Sequence, residues 1–178
     1  MDFLAVTNQV PRKRLLGVTL LAWIGVIGFD FILHGGILSS FYINESSFLL
    51  PPLESFRRIP IGYLSFLITT SFLVWLIAKL ELRGWRRGLI LGGIVGSVIW
   101  TSLAVGMYSI STASPILLFG WALGQTLEMA YAGGIIGQGL YVERTRRLTA
   151  TVIIFTLGFV VLTIILQSIG LAQAVVIS

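Results

Sequence analysis

The sequence has no cysteine, one histidine and only 11% charged residues in 178. Each shortage closes off some chemistry. Without cysteine there is no disulfide, no thiolate nucleophile and no iron–sulfur ligation. A single histidine, His34, excludes paired-histidine haem ligation and three-histidine zinc sites within the chain. The only lysines, Lys13 and Lys79, lie at the edges of apolar runs, which argues against a buried Schiff-base lysine. Enzyme signatures are missing too. There is no GxSxG, no HExxH, and no glycine-rich phosphate loop followed by lysine. The sequence therefore predicts a non-enzymatic protein with no catalytic residue and no cofactor. Asp30, His34 and Glu128 are suitable donor types for a metal, but they are scattered, and no metal site is assigned.

What remains is hydrophobic. Apolar residues make up 56% of the chain, and the mean hydropathy is +0.97. A soluble domain has about a quarter of its residues charged. Runs of about 20 apolar residues recur along the length, which predicts an all-α, multi-pass membrane protein. The expected architecture is a single integral domain, 1–178, forming a bundle of five transmembrane helices. Their spans are about 15–38, 61–80, 88–109, 116–141 and 148–172. The pI of about 10.1 reflects arginines flanking these spans rather than a nucleic-acid surface. The expected partners are the lipid bilayer and other membrane subunits or further copies of the chain, with no nucleic acid.

Met1–Arg14 is a polar leader ending in a basic run. No small-residue cleavage site follows, so the first apolar run reads as a retained span. That span carries Asp30 and His34 one helical turn apart, on a face with Thr19 and Trp23; Gly17, Gly28 and Gly35 lie nearly opposite. The stretch from Ser39 to Pro60 reads as non-spanning. Pro51-Pro52 interrupts it, and Phe41, Tyr42, Phe48 and Phe56 suit the membrane–water interface. Asn44-Glu45-Ser46 matches a glycosylation triplet, a pattern common by chance. The third span carries Gly88, Gly92, Gly96 and Trp100 at intervals of four, a double GxxxG that predicts close approach of a neighbouring helix. The fifth span, apart from Gln167, reads as a lipid-facing helix.

Counting basic residues sets the orientation. With the N-terminus in the cytoplasm, Arg12, Lys13, Arg14, Lys79, Arg83, Arg86, Arg87, Arg144, Arg146 and Arg147 lie inside, and only Arg57 and Arg58 lie outside. This positive-inside bias predicts an inner (plasma) membrane protein with a cytoplasmic N-terminus.

The fourth span holds the most telling residues. Gly120, Gly124, Glu128 and Ala132 form one narrow stripe, with Gln125 beside it. A carboxyl group in hydrocarbon costs about 2.5–3.5 kcal/mol on insertion scales, so Glu128 must face protein or water. At about 1.5 Å per residue, Asp30, His34, Gln125 and Glu128 fall in the same half of the bilayer as Thr101 and Ser102. Two readings of this group stand. One is a proton or ion relay, or a polar pocket for a small solute. The other is hydrogen-bonded glue between helices.

The first and fourth spans also resemble one another. Trp23, Asp30 and Gly35-Gly36-Ile37 recur in spacing as Trp121, Glu128 and Gly133-Gly134-Ile135. Spans one and two against spans four and five thus carry the weak pattern of an inverted repeat. The tryptophan–acid–double-glycine pattern, over about Leu15–Tyr141, resembles what recurs in small uncharacterised bacterial multi-pass membrane proteins. That resemblance implies no activity. The expected function is transporter-like or channel-like, around Asp30, His34, Gln125 and Glu128. The alternative is a structural or accessory subunit of a larger membrane complex, packing on partners through the glycine faces of spans one, three and four, with Gly88, Gly92, Gly96, Gly120 and Gly124 as the helix-packing positions.

Overall fold

The computed structural model describes residues 10–43, 48–143 and 145–173. The glycosylation triplet and Arg144 lie outside the described residues. Within them the chain is all helical, with six α-helices, one π turn and no strand. Helix α1 (Arg12–Ile32) runs directly into the π turn Leu33–Ile37. After a short α2 (Ser40–Ile43) come α3 (Pro52–Lys79), α4 (Trp85–Ile110), α5 (Pro115–Gly139) and α6 (Arg146–Ser168). Helix α1 with its π turn, α3, α4 and α6 are each long and apolar enough to cross a membrane. Helix α5 is long enough, but Gln125, Glu128 and its glycines leave it short of that apolar standard.

Two boundaries differ from expectation for local reasons. The segment 52–60, read as non-spanning, is the start of α3. Pro51-Pro52 opens this helix instead of blocking it, because a proline in the first turn gives up an N–H that has no partner there anyway. Pro60 sits inside the same helix. The end of the first span is also wider than an α-helix. The Leu38 N–H donates to the Leu33 carbonyl, five residues back, at 2.8 Å.

Helix α5 lies at the centre. A dozen of its residues are buried, from Leu117 to Gly139. It runs antiparallel to α1. Gly120 meets Leu38, Gly124 meets Leu33, and Gly139 meets Val18. The repeated Asp30 and Glu128 therefore fall at similar levels on facing helices. Helix α4 packs on the other side of α5 through the expected glycines. A Cβ added to Gly92 would lie 2.2 Å from the Met129 carbonyl oxygen, and one on Gly96 would lie 2.8 Å from Met129 Cβ. With only hydrogen at these positions, the two backbones approach to contact.

Helix α6 is not simply lipid-facing. It lies parallel to α1, with Thr156 against Gly28 and Thr163 against Gly35. The Gln167 side-chain N–H donates to the Gly35 carbonyl at 2.9 Å. Its other faces, like those of α3 and α4, are apolar and open. Ile68, Ile110 and Ile154 are 72%, 82% and 69% exposed.

The described basic residues, apart from Arg57 and Arg58, gather at one end. The Arg14 Nε–H donates to the Gly139 carbonyl at 3.1 Å, and the Gly84 N–H to the Gly137 carbonyl at 3.0 Å. Lys79, Arg83 and Arg86 lie over the rings of Trp75, Tyr141 and Trp85. Arg57 and Arg58 sit near the other end, where Arg58 pairs with Glu54.

Candidate functional site

The π turn decides where the polar side chains of the first span go. Gly35 and Gly36 carry no side chain into the α6 face, which lets the backbone widen there against Thr163. The widened turn returns the chain so that Tyr42, eight residues on, reaches back to His34. The Tyr42 hydroxyl is 2.6 Å from His34 Nδ1. From α5, the Trp121 indole N–H donates to the same hydroxyl oxygen. On the other side of the ring, His34 Nε2 lies 3.2 Å from Asp30 Oδ1, one turn earlier on the same helix.

With the Nε2–H tautomer of His34, one set of hydrogen positions satisfies Tyr42, His34 and Asp30 together. The Tyr42 oxygen accepts from Trp121, so its own hydrogen is free to donate to His34 Nδ1. His34 Nε2 then carries the imidazole hydrogen and donates it to Asp30 Oδ1. The side-chain amide of Gln125 lies 3.2 Å from the same Nε2. Its nitrogen is the nearer atom, and the same amide hydrogen-bonds the Glu128 carboxyl. Burial pushes the Tyr42 phenol well above the ordinary tyrosine range, and the Trp121 hydrogen bond pulls it back only in part. The hydroxyl keeps its proton and can both accept and donate.

Glu128 is one turn further along α5 and only 2% exposed. Its Oε2 has no hydrogen-bond partner, and neither does the indole nitrogen of Trp100 on α4. Both residues border a cavity of about 10 Å³ together with Val26, Thr70, Gln125 and Met129. That is about the room one water needs.

Of the residues expected to meet, Asp30, His34 and Gln125 come together directly, and Glu128 adjoins them through Gln125. Among the described residues, no three acidic or histidine side chains lie close enough to hold a metal ion. Thr101 and Ser102 do not join the group. They are exposed on the far side of α4, because Gly88, Gly92 and Gly96 turn the opposite face toward α5. Trp23 is also separate, its indole N–H donating to the Tyr63 carbonyl at 2.8 Å. Gly120 and Gly124 receive Leu38 and Leu33, which brings the π turn onto α5 beside Gln125. Sequence reasoning missed Tyr42 and Trp121. The spacing places Tyr42 at the interface and Trp121 in the repeat; the π turn returns Tyr42 to His34, and α5 brings Trp121 to the Tyr42 hydroxyl.

No protein-family model, curated protein or solved structure matches this chain.

Proposed function

We propose that the chain is a five-span integral membrane protein, N-terminus inside, of the inner (plasma) membrane. Its role in this reading is non-enzymatic and transporter-like, centred on Asp30, His34, Gln125 and Glu128. The observation that carries the reading is the hydrogen-bonded line from Asp30 through His34 to Tyr42 and Trp121, set among helices with apolar outer faces. Exposed isoleucines in such numbers suit a lipid environment. Helix α5 serves as the fourth of the five spans despite its polar residues, because its neighbours shield Gln125 and Glu128 from lipid. Groups retained only as glue would be matched to one another. Here a carboxylate oxygen and an indole N–H are left over beside a cavity, as local rules are broken at working sites.

Accessibility tests the reading. The chain has no native cysteine, so His34→Cys provides a single thiol. If water reaches the site, a small water-soluble thiol reagent modifies this variant in membranes. An unreactive thiol in a folded variant counts against transport.

The second reading, an accessory subunit, draws support from the size of the cavity. About 10 Å³ beside Glu128 is no passage for a solute. A second protein recovered at fixed ratio after mild detergent extraction would favour it.

A further inference from the structure

Resting on the transporter-like reading, we infer that the species handled by the site is the proton, and that it reaches Asp30 from one end of the bundle only, through Tyr42 and His34.

Three observations carry this. The first is continuity. From the half-buried Tyr42 hydroxyl to Nδ1 is 2.6 Å, and from Nε2 to Asp30 Oδ1 is 3.2 Å. Every group on this line exchanges a hydrogen, and imidazole passes one across its ring by changing tautomer. The second is size. The space beside Glu128 holds about one water, which suits a proton and excludes an organic solute. The third is closure. Tyr131, beside Gly25, carries a buried hydroxyl one turn below Glu128; between it and the basic end the buried side chains include Leu21, Ala22, Leu73, Ile77, Ile136 and Leu140, none with an exchangeable hydrogen. From Asp30 back to Arg12 is roughly 27 Å of helix.

The transfer balances. A proton from water binds the Tyr42 oxygen as the Tyr42 hydrogen moves to Nδ1. The Nε2 hydrogen moves to Asp30 Oδ1. Tyr42 ends as a neutral phenol, His34 as its other neutral tautomer, and Asp30 as a neutral acid. Among the described residues the other titratable groups near the line are Glu128 and Tyr131 on α5 and Tyr63 on α3; the polar side chains that α6 places beside α1 include Thr156, Thr163 and Gln167, none of them titratable.

The test uses the whole purified chain in vesicles on a supported membrane, with a pH jump as the stimulus and displaced charge as the readout. A proton that enters halfway and stops gives a transient current that decays to baseline. Asp30→Asn and Tyr42→Phe, both nearly isosteric, abolish the transient while circular dichroism stays that of the parent. Ile136→Ser, placed in the apolar barrier, turns the transient into a sustained current, and adding Tyr42→Phe to it removes that current. A sustained current in the parent protein overturns one-sided access. A transient that survives Tyr42→Phe overturns the route. No transient in the parent, together with an unreactive His34→Cys, overturns the transporter-like reading itself.

Discussion

A Cβ added to Gly88 would sit 2.0 Å from the carbonyl oxygen of Gly133, and one added to Gly133 would sit 2.2 Å from the carbonyl oxygen of Gly88. The contact is reciprocal and made between backbones. Neither helix can give way by rotating a side chain. Gly88→Ala or Gly92→Ala should therefore cost about 1–3 kcal/mol, the usual range for overpacking. Gly106, on the same helix, has nothing within 4 Å. Gly106→Ala should be neutral or stabilise by up to about 1 kcal/mol through helix propensity. Thermal unfolding in detergent checks the difference. Equal midpoints for Gly88→Ala and Gly106→Ala would contradict the packing.

Gly124 offers a graded comparison. The atoms a Cβ would meet there are Leu33 Cδ1 and Cδ2, each at 2.6 Å, the far end of a flexible side chain. Gly124→Ala should cost less than Gly92→Ala, since Leu33 has other rotamers. Its effect should show instead in the polar line, because Leu33 immediately precedes His34. The same unfolding series, run alongside nitrogen NMR of the single histidine His34, separates the two effects.

The π turn depends on α6. Gln167 donates to the Gly35 carbonyl, and the Gln173 N–H donates to Ser39 Oγ at 3.0 Å. Gln167→Leu removes the first bond and should destabilise by about 0.6–2 kcal/mol, typical of one polar link between helices in a membrane. The local signature is faster hydrogen exchange at the Leu38 amide, whose bond to Leu33 closes the turn. Unchanged exchange at Leu38 would show that α6 does not hold the turn.

Much of this was legible in the sequence, for physical reasons. Glycine every fourth residue falls on one face of any helix, so the close-packing face of α4 could be read before its partner was known. Asp30 and His34 are one turn apart, which fixes their proximity from spacing alone. The partner of Gly88 was not legible, because periodicity describes a face and not what covers it. The role of Tyr42 was hidden by the π turn, which breaks the period on which spacing arguments depend, and with it the partner of Trp121. The start of α3 was missed because a double proline both breaks a helix interior and opens a helix. Thr101 and Ser102 shared a depth with the site but not a direction, and depth alone cannot tell the two apart.

Glu128 separates glue from function by stability. Its Oε2 is buried without a partner, a burden that a neutral side chain of similar shape removes. Glu128→Met should be as stable as the parent or more so in a chemical-denaturation series. A loss of more than about 2 kcal/mol would show that the carboxylate is matched and structural.

The proposed orientation is tested at Ser109 and Arg86, both exposed and at opposite ends of α4. Ser109→Cys should react with an impermeant maleimide on intact cells. Arg86→Cys should react only after permeabilisation. The reverse pattern would invert the protein in its membrane.

The central claim is that the ring of His34 links Tyr42 to Asp30. Because His34 is the sole histidine, nitrogen NMR of the chain labelled only in histidine reports this ring without any assignment. The account predicts a hydrogen-bearing Nε2 and a hydrogen-bond-accepting Nδ1. Tyr42→Phe should shift the Nδ1 resonance and Asp30→Asn the Nε2 resonance. Two nitrogens in fast tautomeric exchange, as in free imidazole, and unmoved by either substitution, would contradict it.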